Sequence, residues 1–573
     1  MSSYFPFVAY RGDQAEIIEQ VVGAVQDGWQ YVELAAPTAA GKTAIMYTAG
    51  CELAYDHNHR VCYTSTQVNL IEQLPGWSYD LMPKVTGTVN YDCADGGNAH
   101  DCDYTAGYPV RAAQIDDGCD ASTETVSNGG RRTCPHVKPF IDQWHVKDGN
   151  LAVSADCECD YVLARSTFDR SPFGATTLAM ALYDPRILKS RDVIFIDESA
   201  SLEAALIEHS KLEIHGDMAP VTPSHWRQYI RNLESDIETV LDVAERCKLK
   251  NDPPQKWFQK LGAKTFALQN KIQHQELELK KLHKYLNNLL RKMQQWYPRI
   301  DTLDKQYIET SGTNGRPELK LIYGKQVLND IFGNRQLIFA SGTPTTKLLV
   351  EPAFIRRIEM QHPIARERRS VMFVNLGCDL TKNSTDRVGY NTVIQTMADA
   401  IRQIEQVYGK KHTLVHCIAR TNAEAMYPVL QSMVDCPVYL QDRYNRDAAL
   451  NNWKQQRGRA ILLSIGREEG LDLPGPEFNL NFVLKTPWAF LGDKAVKARL
   501  TKDNAARDGR PQEFAFMAAV RLQQACGRCT RAPDDFSRTF VLERLNDGVK
   551  QYLEPWFREA IIQGRLEDAI GDE

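Results

Sequence analysis

The segment from Ala36 to Thr43, with the sequence APTAAGKT, contains the residue types that bind phosphate groups. Small residues let backbone N–H groups surround a phosphate, and a helix that starts at the end of such a loop adds a favourable partial charge. At this spacing Lys42 would contact the β- and γ-phosphates, and Thr43 would coordinate Mg²⁺. Ala36 stands where the usual pattern has its first glycine. The segment therefore predicts a nucleotide-binding loop.

Two carboxylates follow a second apolar run. Val193 to Ile196 is continuously apolar, as in a strand covered on both faces, and Asp197 and Glu198 come directly after it. Asp197 is predicted to hold Mg²⁺, and Glu198 to orient or deprotonate an attacking water. An Asp-Glu pair alone is usually just solvated. The buried strand and the phosphate loop favour the catalytic interpretation.

The C-terminal half contributes Gln524, Arg528 and Arg531 in the segment RLQQACGRCTRAPDD. If this segment is helical, Gln524 and Arg528 share a face, and Arg531 follows three residues later. Arginines that reach across a cleft to a γ-phosphate stabilise the charge of phosphoryl transfer. A solvated arginine-rich helix is the alternative, and the order of the surrounding loops favours the catalytic one.

A cluster of cysteines lies in the sequence between the phosphate loop and the Asp197-Glu198 pair. Six of the 14 cysteines lie in it: Cys93, Cys102, Cys119, Cys134, Cys157 and Cys159. In a reducing compartment such a cluster more often binds metal than forms disulfides. The irregular spacing suits a cubane iron–sulfur cluster better than a compact zinc knuckle, but zinc and a metal-free domain both stay open.

Repeated strands must position these residues. Apolar runs that end in polar loops recur before Ser341, within 412–421 and within 458–475. The chain has 573 residues, 43% hydrophobic and 25% charged, which predicts a soluble protein of three or four domains. It has no membrane-length apolar run and no secretory signal, so a cytoplasmic location is expected. The net charge of −5 does not exclude a basic groove for nucleic acid.

The order of motifs resembles superfamily 2 helicases, specifically the XPD/DinG branch. APTAAGKT and DESASLE match motifs I and II, residues 63–74 look like motif Ia, and Ser341-Gly342-Thr343 matches motif III. REEGLDLPG matches motif V, QACGRCTR matches motif VI, and residues 484–490 are similar to a Lys-x-Pro-aromatic stretch between them. YFPFVAYRGDQ looks like the adenine-reading motif.

The resemblance implies an α/β fold with two RecA-like P-loop NTPase domains, and ATP and Mg²⁺ between them. It also implies 5′→3′ translocation on single-stranded DNA and action on tailed or forked duplexes. The residues it assigns to the nucleotide are Arg11, Gln14, Ala36, Thr38, Gly41, Lys42, Thr43, Gly470 and Asp472.

The same resemblance places two insertions in the first domain. That domain would comprise residues 1–88, 166–205 and 321–352, with an iron–sulfur domain at 89–165, a helical arch at 206–320 and the second domain at 353–573. The segment ending at Cys93 and the segment starting at Cys159 resemble the first and last ligand regions of a 4Fe-4S cluster. Cys134 and Cys157 are the expected middle ligands because they lie nearest to Cys159 in sequence.

Residues 275–296 predict a helix of this arch, with leucines at three- and four-residue steps and a basic opposite face. That face would be solvated or would contact DNA phosphates. Trp257, Phe258, Trp296 and Trp488 could stack on bases, although most such aromatics are core residues.

One position departs from the branch. Ala200 occupies the place of the usual motif II histidine, which puts the coupling of hydrolysis to DNA movement in doubt more than hydrolysis itself. The alternatives are a nucleic-acid-stimulated ATPase that remodels a nucleoprotein complex, and a nucleotide-binding adaptor without turnover. The compact length is similar to DinG-like helicases of type IV CRISPR systems and mobile elements. A CRISPR ribonucleoprotein and other DNA-processing proteins are therefore expected partners, and DNA repair is the other expected role.

Overall fold

The computed structural model describes residues 2–37, 39–66, 71, 74, 81–87, 90–91, 123–126, 130–133, 160–213, 235, 238, 292, 296, 307–311, 317–409, 411–441, 445–465, 480–505, 513–527 and 536–571. In chain order the strands are β1 (Tyr31–Ala35), β2 (Val61–Ser65), β3 (Lys84–Val85), β4 (Thr123–Val126), β5 (Gly130–Thr133), β6 (Phe173–Thr177), β7 (Val193–Asp197), β8 (Leu212–Glu213), β9 (Tyr307–Ser311), β10 (Pro317–Leu321), β11 (Gln336–Ser341), β12 (Ile355–Glu359), β13 (Arg369–Asn375), β14 (His412–His416), β15 (Val438–Leu440), β16 (Ala460–Ser464), β17 (Leu480–Val483), β18 (Ser537–Val541) and β19 (Ile561–Arg565).

The α-helices are α1 (Gln14–Gln26), α2 (Lys42–Cys51), α3 (Asp160–Arg170), α4 (Leu178–Tyr183), α5 (Leu202–Ser210), α6 (Lys325–Phe332), α7 (Lys382–Val388), α8 (Tyr390–Tyr408), α9 (Arg420–Met433), α10 (Arg446–Lys454), α11 (Lys494–Ala505), α12 (Glu513–Cys526), α13 (Asp547–Lys550), α14 (Pro555–Arg558) and α15 (Leu566–Gly571). A π-helical turn, Glu52–Asp56, extends α2. Short 3-10 turns lie at Pro185–Leu188, Ser199–Ser201, Thr346–Leu348, Pro352–Phe354 and Arg366–Arg368. Among the described residues no helix is long and apolar enough to cross a membrane.

The first sheet has seven parallel strands in the order β12-β1-β11-β7-β2-β6-β3. All five residues of β7 are buried, which explains its unbroken apolar run. Helices α1 and α2 pack on one face of this sheet through a shared apolar core. Because the strands are parallel, the loops after β1 and β7 open at the same edge of the sheet.

The second sheet also has seven parallel strands, in the order β15-β16-β14-β17-β18-β13-β19. Alternate residues of β13 enter two different cores: Met372 and Val374 pack with α8 and α9, and Val371 and Phe373 pack with α12. Helices therefore cover both faces of this sheet. Two sheets of this kind confirm the predicted α/β class with two RecA-like domains.

Three features differ from the sequence prediction. Strand β12 pairs with β1, so the first sheet extends beyond the predicted boundary at 352. Within the predicted arch, β8, β10 and β9 form a small antiparallel sheet. The Asn314-Gly315 pair between β9 and β10 is a hairpin signal that the helical prediction overlooked. Helix α3 also crosses the predicted boundary at 165.

Candidate nucleotide site

The phosphate loop connects β1 to α2 through two residues with positive φ. Ala39 has a φ of 66° and Gly41 a φ of 76°, and α2 begins immediately afterwards at Lys42. A Cβ atom at Gly41 would lie 2.6 Å from Nε2 of Gln14, so any side chain there would displace Gln14. Glycine is therefore required at this position for both its backbone conformation and its size. The loop geometry agrees with the predicted role of the segment.

Gln14 ties the first helix to this loop. Its side-chain amide donates to the carbonyl of Ala40 at 2.8 Å and accepts from the backbone N–H of Arg11 at 2.9 Å. The Gln14 side chain is almost completely buried, so these bonds have little competition from water. The structure thus places Gln14 against the phosphate loop, while Arg11 is exposed and contacts Gln14 through its backbone N–H.

Lys42 and Glu198 face each other across the edge of the first sheet. The Nζ atom of Lys42 lies 3.4 Å from Oε1 of Glu198. Glu198 has a φ of 51°, which is uncommon outside glycine. Such backbone strain is concentrated at functional sites, where it holds a side chain in a set direction.

The Asp197 carboxylate is buried and held at both oxygens. Tyr63 donates its hydroxyl to Oδ2 at 2.6 Å, and the backbone N–H of Glu198 donates to Oδ1 at 2.9 Å. Burial raises the pKa of Asp197, repulsion from Glu198 adds to this, and Lys42 opposes it. Burial, followed by the Asp197 charge, raises the pKa of Tyr63 well above 10, so the Tyr63 hydroxyl stays protonated and can donate.

Tyr63 is a site residue that the sequence analysis did not single out. It lies on β2, which pairs with β7 so that Tyr63 is opposite Phe195 and Ser65 is opposite Asp197. The available signal was its place at the start of the segment resembling motif Ia. The pairing of β2 with β7 brings the Tyr63 hydroxyl to the Asp197 carboxylate, and the motif alone does not predict this contact.

The last residue of β11 and the loop that follows it contact both motifs of the first domain. The backbone N–H of Ala36 donates to the carbonyl of Ser341 at 3.0 Å. The hydroxyl of Thr345 lies 3.3 Å from the carbonyls of Ser199 and Ala200 and donates to them. The hydrogen bonds to the turn after Glu198 are therefore made to backbone carbonyls, and the methyl side chain of Ala200 cannot form one.

The second domain docks beside this loop through α12. Phe516 and Val520 of α12 pack against Leu348, and the ammonium of Lys347 lies 3.9 Å from the centre of the Phe516 ring. Gln524 lies in the last turn of α12, and its buried Oε1 accepts no hydrogen bond from the described residues. The helix that carries Gln524 is thus fixed directly to the first domain.

Several predicted site residues lie outside the described residues. They are Thr38, Gly470, Asp472, Arg528, Arg531 and the cysteines Cys93, Cys134, Cys157 and Cys159. Among the residues that the structure does describe, no group of three or more His, Cys, Asp or Glu side chains is arranged to hold a metal ion. The roles assigned to the residues outside the described ranges remain predictions.

The aromatic residues predicted to stack on bases differ in how far they are buried. Trp296 is fully buried and donates its indole N–H to the carbonyl of Ser210 at 2.7 Å, so it is a core residue. Trp488 stacks on Phe514 with ring centres 4.9 Å apart and is only half-buried. Trp257 and Phe258 fall outside the described residues.

Comparison with known proteins agrees with this architecture. Residues 401–560 match the family model described as helicase C-terminal domain. A solved XPD helicase superposes with a TM-score of 0.57 at 14% identity, covering 97% of this chain and 100% of its own. Xpd4 of S. tokodaii gives a TM-score of 0.50 at 12% identity, covering 96% of this chain and 99% of its own. An apo XPD structure also gives 0.50 at 12% identity, covering 96% and 100%. Comparison with curated proteins finds no match.

The chain has the two-domain fold of the XPD structures. Its C-terminal family match adds that it is a helicase-type enzyme of nucleic acid. At identities of 12–14% the structural likenesses establish the two-domain fold of XPD-like proteins and no substrate preference. The predicted XPD-like fold with two RecA-like domains is confirmed at this level.

Proposed function

We propose that this protein is an ATP-dependent DNA helicase or translocase of the DinG-like type, moving 5′→3′ on single-stranded DNA. The observation that carries the proposal is the convergence of Lys42, Glu198 and Asp197 at one sheet edge, beside the docked second domain. A phosphate loop and a metal-binding carboxylate at the same edge of one parallel sheet, here after β1 and β7 with β11 between them, are what ATP hydrolysis requires.

The side chains fit a bound magnesium nucleotide. When nucleotide binds, Lys42 would leave Glu198 and contact the β- and γ-phosphates. The Glu198 carboxylate would then be free to orient the attacking water. Thr43 and the buried Asp197 would hold Mg²⁺, whose charge neutralises the phosphate oxygens when it is bound. Arg11 and Gln14 would contact the adenine side, because Gln14 already fixes the loop that precedes Lys42.

The second domain would complete the site. Gln524, Arg528 and Arg531 are the proposed partners of the γ-phosphate, and Gly470 and Asp472 the proposed motif V contacts. Support comes from α12, whose Phe516 and Val520 pack against Leu348 of the first domain, and Gln524 follows Val520 by four residues on the same helix. Arginines added in this way stabilise charge in the transition state.

The proposal predicts loss of ATP hydrolysis when either end of the Lys42–Glu198 pair is changed. Lys42→Ala removes the phosphate ligand, and Glu198→Gln removes the base while keeping the shape. Both are expected to reduce DNA-stimulated phosphate release to background. Glu351→Gln, an exposed carboxylate outside the site, is the matched control and should hydrolyse ATP like the wild type. Full turnover by Lys42→Ala or Glu198→Gln would disprove the motor assignment.

A second candidate is an ATPase that remodels a nucleoprotein complex without separating strands. The observation that favours it is Ala200, since Thr345 hydrogen-bonds the backbone carbonyls of this turn and the Ala200 methyl group has no hydrogen-bonding atom. Unwinding assays on duplexes with a 5′ or a 3′ tail distinguish the two. Strand separation from the 5′-tailed duplex alone supports the helicase, and DNA-stimulated hydrolysis without separation of either duplex supports remodelling.

The cysteine-rich segment is proposed to hold a 4Fe-4S cluster through Cys93, Cys134, Cys157 and Cys159. Its support is the number of thiols at irregular spacing between the phosphate loop and β7. A CRISPR ribonucleoprotein or another DNA-processing protein is the proposed partner, and DNA repair the alternative setting. These finer assignments rest on family resemblance.

A further inference from the structure

A buried tyrosine hydroxyl lies between the two side chains proposed to hold Mg²⁺. The hydroxyl of Tyr63 donates to Oδ2 of Asp197 at 2.6 Å, and the Thr43 side chain is close enough to the same hydroxyl to affect its pKa. Only 1% of Tyr63 is exposed. The ring packs in the apolar core beneath α1 and α2, so the hydroxyl cannot turn to water.

Packing alone does not explain why position 63 is a tyrosine. Phenylalanine would fill almost the same volume, and a buried hydroxyl is costly unless it is hydrogen-bonded. The hydroxyl of Tyr63 is bonded, and its partner atom belongs to the proposed metal carboxylate. With Glu198 N–H on Oδ1 and Tyr63 on Oδ2, the carboxylate has a fixed plane and keeps further lone pairs for a ligand.

We propose that Tyr63 is a positioning residue that sets the Asp197 carboxylate and the Thr43 hydroxyl for magnesium-nucleotide binding. The inference rests on the proposed function, because it takes Asp197 and Thr43 as the metal ligands. Mg²⁺ requires near-ideal octahedral geometry and uses few protein ligands, so the orientation of each one matters. Partners that orient metal ligands typically change metal affinity by about 10–100-fold when removed.

The test is a Tyr63→Phe variant, assayed by fluorescence titration with a ribose-labelled ATP analogue in the presence and absence of Mg²⁺. The Mg²⁺ concentration that half-saturates the enhancement of nucleotide binding should rise by about 10-fold or more. Affinity for the metal-free analogue should change less than about 2-fold, because the phosphate loop itself is intact. Steady-state hydrolysis should show the same shift in Mg²⁺ dependence, recovered in part at high Mg²⁺.

Tyr55→Phe is the matched control. Tyr55 lies in the same domain and donates its hydroxyl to the carbonyl of Leu81 at 2.8 Å, outside the nucleotide site. It should bind Mg²⁺ and nucleotide like the wild type. Thermal unfolding of both variants reports whether the loss of a hydroxyl has disturbed the first domain.

Two outcomes would overturn the assignment of Tyr63. The first is an unchanged half-saturating Mg²⁺ concentration in Tyr63→Phe. The second is an equal loss of metal-free nucleotide affinity, which would show general damage to the loop. Failure of the proposed function itself would be seen differently, as the absence of magnesium-dependent nucleotide binding in the wild type.

Discussion

At the residue scale, the second domain contains a buried carboxylate outside the nucleotide site. Glu543 follows β18 and accepts hydrogen bonds from the backbone N–H and the hydroxyl of Thr486. Burial raises its pKa from 4.5 to about 7, while the hydrogen bonds from Thr486 and the charge of Lys485 oppose this and Asp379 adds to it. Thr486 belongs to the Lys-x-Pro-aromatic stretch, so the carboxylate fixes the path of that loop.

The raised pKa of Glu543 gives the fold a pH dependence. A carboxyl with a higher pKa in the folded state favours folding while protonated, and this advantage is lost as pH rises from about 4.5 to about 7. Glu543→Gln keeps a neutral acceptor and removes the titration. The variant should therefore gain stability relative to the wild type between pH 5 and pH 8, by on the order of 3 kcal/mol. Unfolding midpoints of both proteins at the two pH values measure this, and an equal response to pH would contradict it.

At the element scale, strand β12 joins the phosphate-loop strand to the second domain. Arg357 on β12 lies 2.5 Å from Glu33 on β1 and 2.5 Å from Glu554, which precedes α14. The backbone N–H of Glu554 donates to Gln523 of α12 at 2.7 Å. A chain of contacts therefore runs from β1, which leads into the phosphate loop, to the helix that carries Gln524.

Replacing Arg357 should loosen this connection. Arg357→Met leaves the buried carboxylates of Glu33 and Glu554 without their cation. We expect a loss of about 1–3 kcal/mol, below the full cost of breaking a buried pair because the Arg357 side chain is 35% exposed. Thermal unfolding measures the loss, and DNA-stimulated hydrolysis should fall with it.

The neighbouring strand position offers the control for this change. Arg356→Met alters an exposed arginine of the same strand and should leave both readouts unchanged. Adding Glu33→Gln and Glu554→Gln to Arg357→Met removes the unpaired charges and should restore much of the stability. If Arg357→Met alone is as stable as Arg356→Met, the ion pairs do not hold the domains together.

At the scale of the whole molecule, two long segments interrupt the first domain between strands that are neighbours in space. Strands β2 and β7 pair directly although the cysteine-rich segment separates them in sequence. Strands β7 and β11 pair across the predicted arch. The pairing of the strands on either side is therefore complete without these two segments. ATP hydrolysis and the proposed cluster can be tested separately.

Anaerobic purification is expected to give a brown protein with about four iron atoms per chain. Cys159→Ser removes a proposed ligand and should lower both colour and iron content. Cys378→Ser is the matched control, since Cys378 is a free, half-buried cysteine of the second domain. A colourless, iron-free preparation that is stable and hydrolyses ATP would exclude the cluster.

The sequence alone predicted the parts whose determinants are local. The phosphate loop depends on small residues beside a buried strand, and β7 begins at the predicted residue Val193. The end of the first domain was less predictable, because β12 is a partly exposed edge strand with only one fully buried position, Ile358. Its apolar pattern is too weak to assign it to a sheet.

Only the tertiary structure decided which distant side chains share the site. Tyr63 reaches Asp197 across 134 residues, and Arg357 reaches Glu554 across 197. Neither contact leaves a periodicity or a spacing in the sequence, because each depends on how strands order themselves within a sheet and on how the two sheets dock. The sequence determined the chemistry at the edge of the first sheet, and the packing of parallel strands determined which side chains hold that chemistry in place.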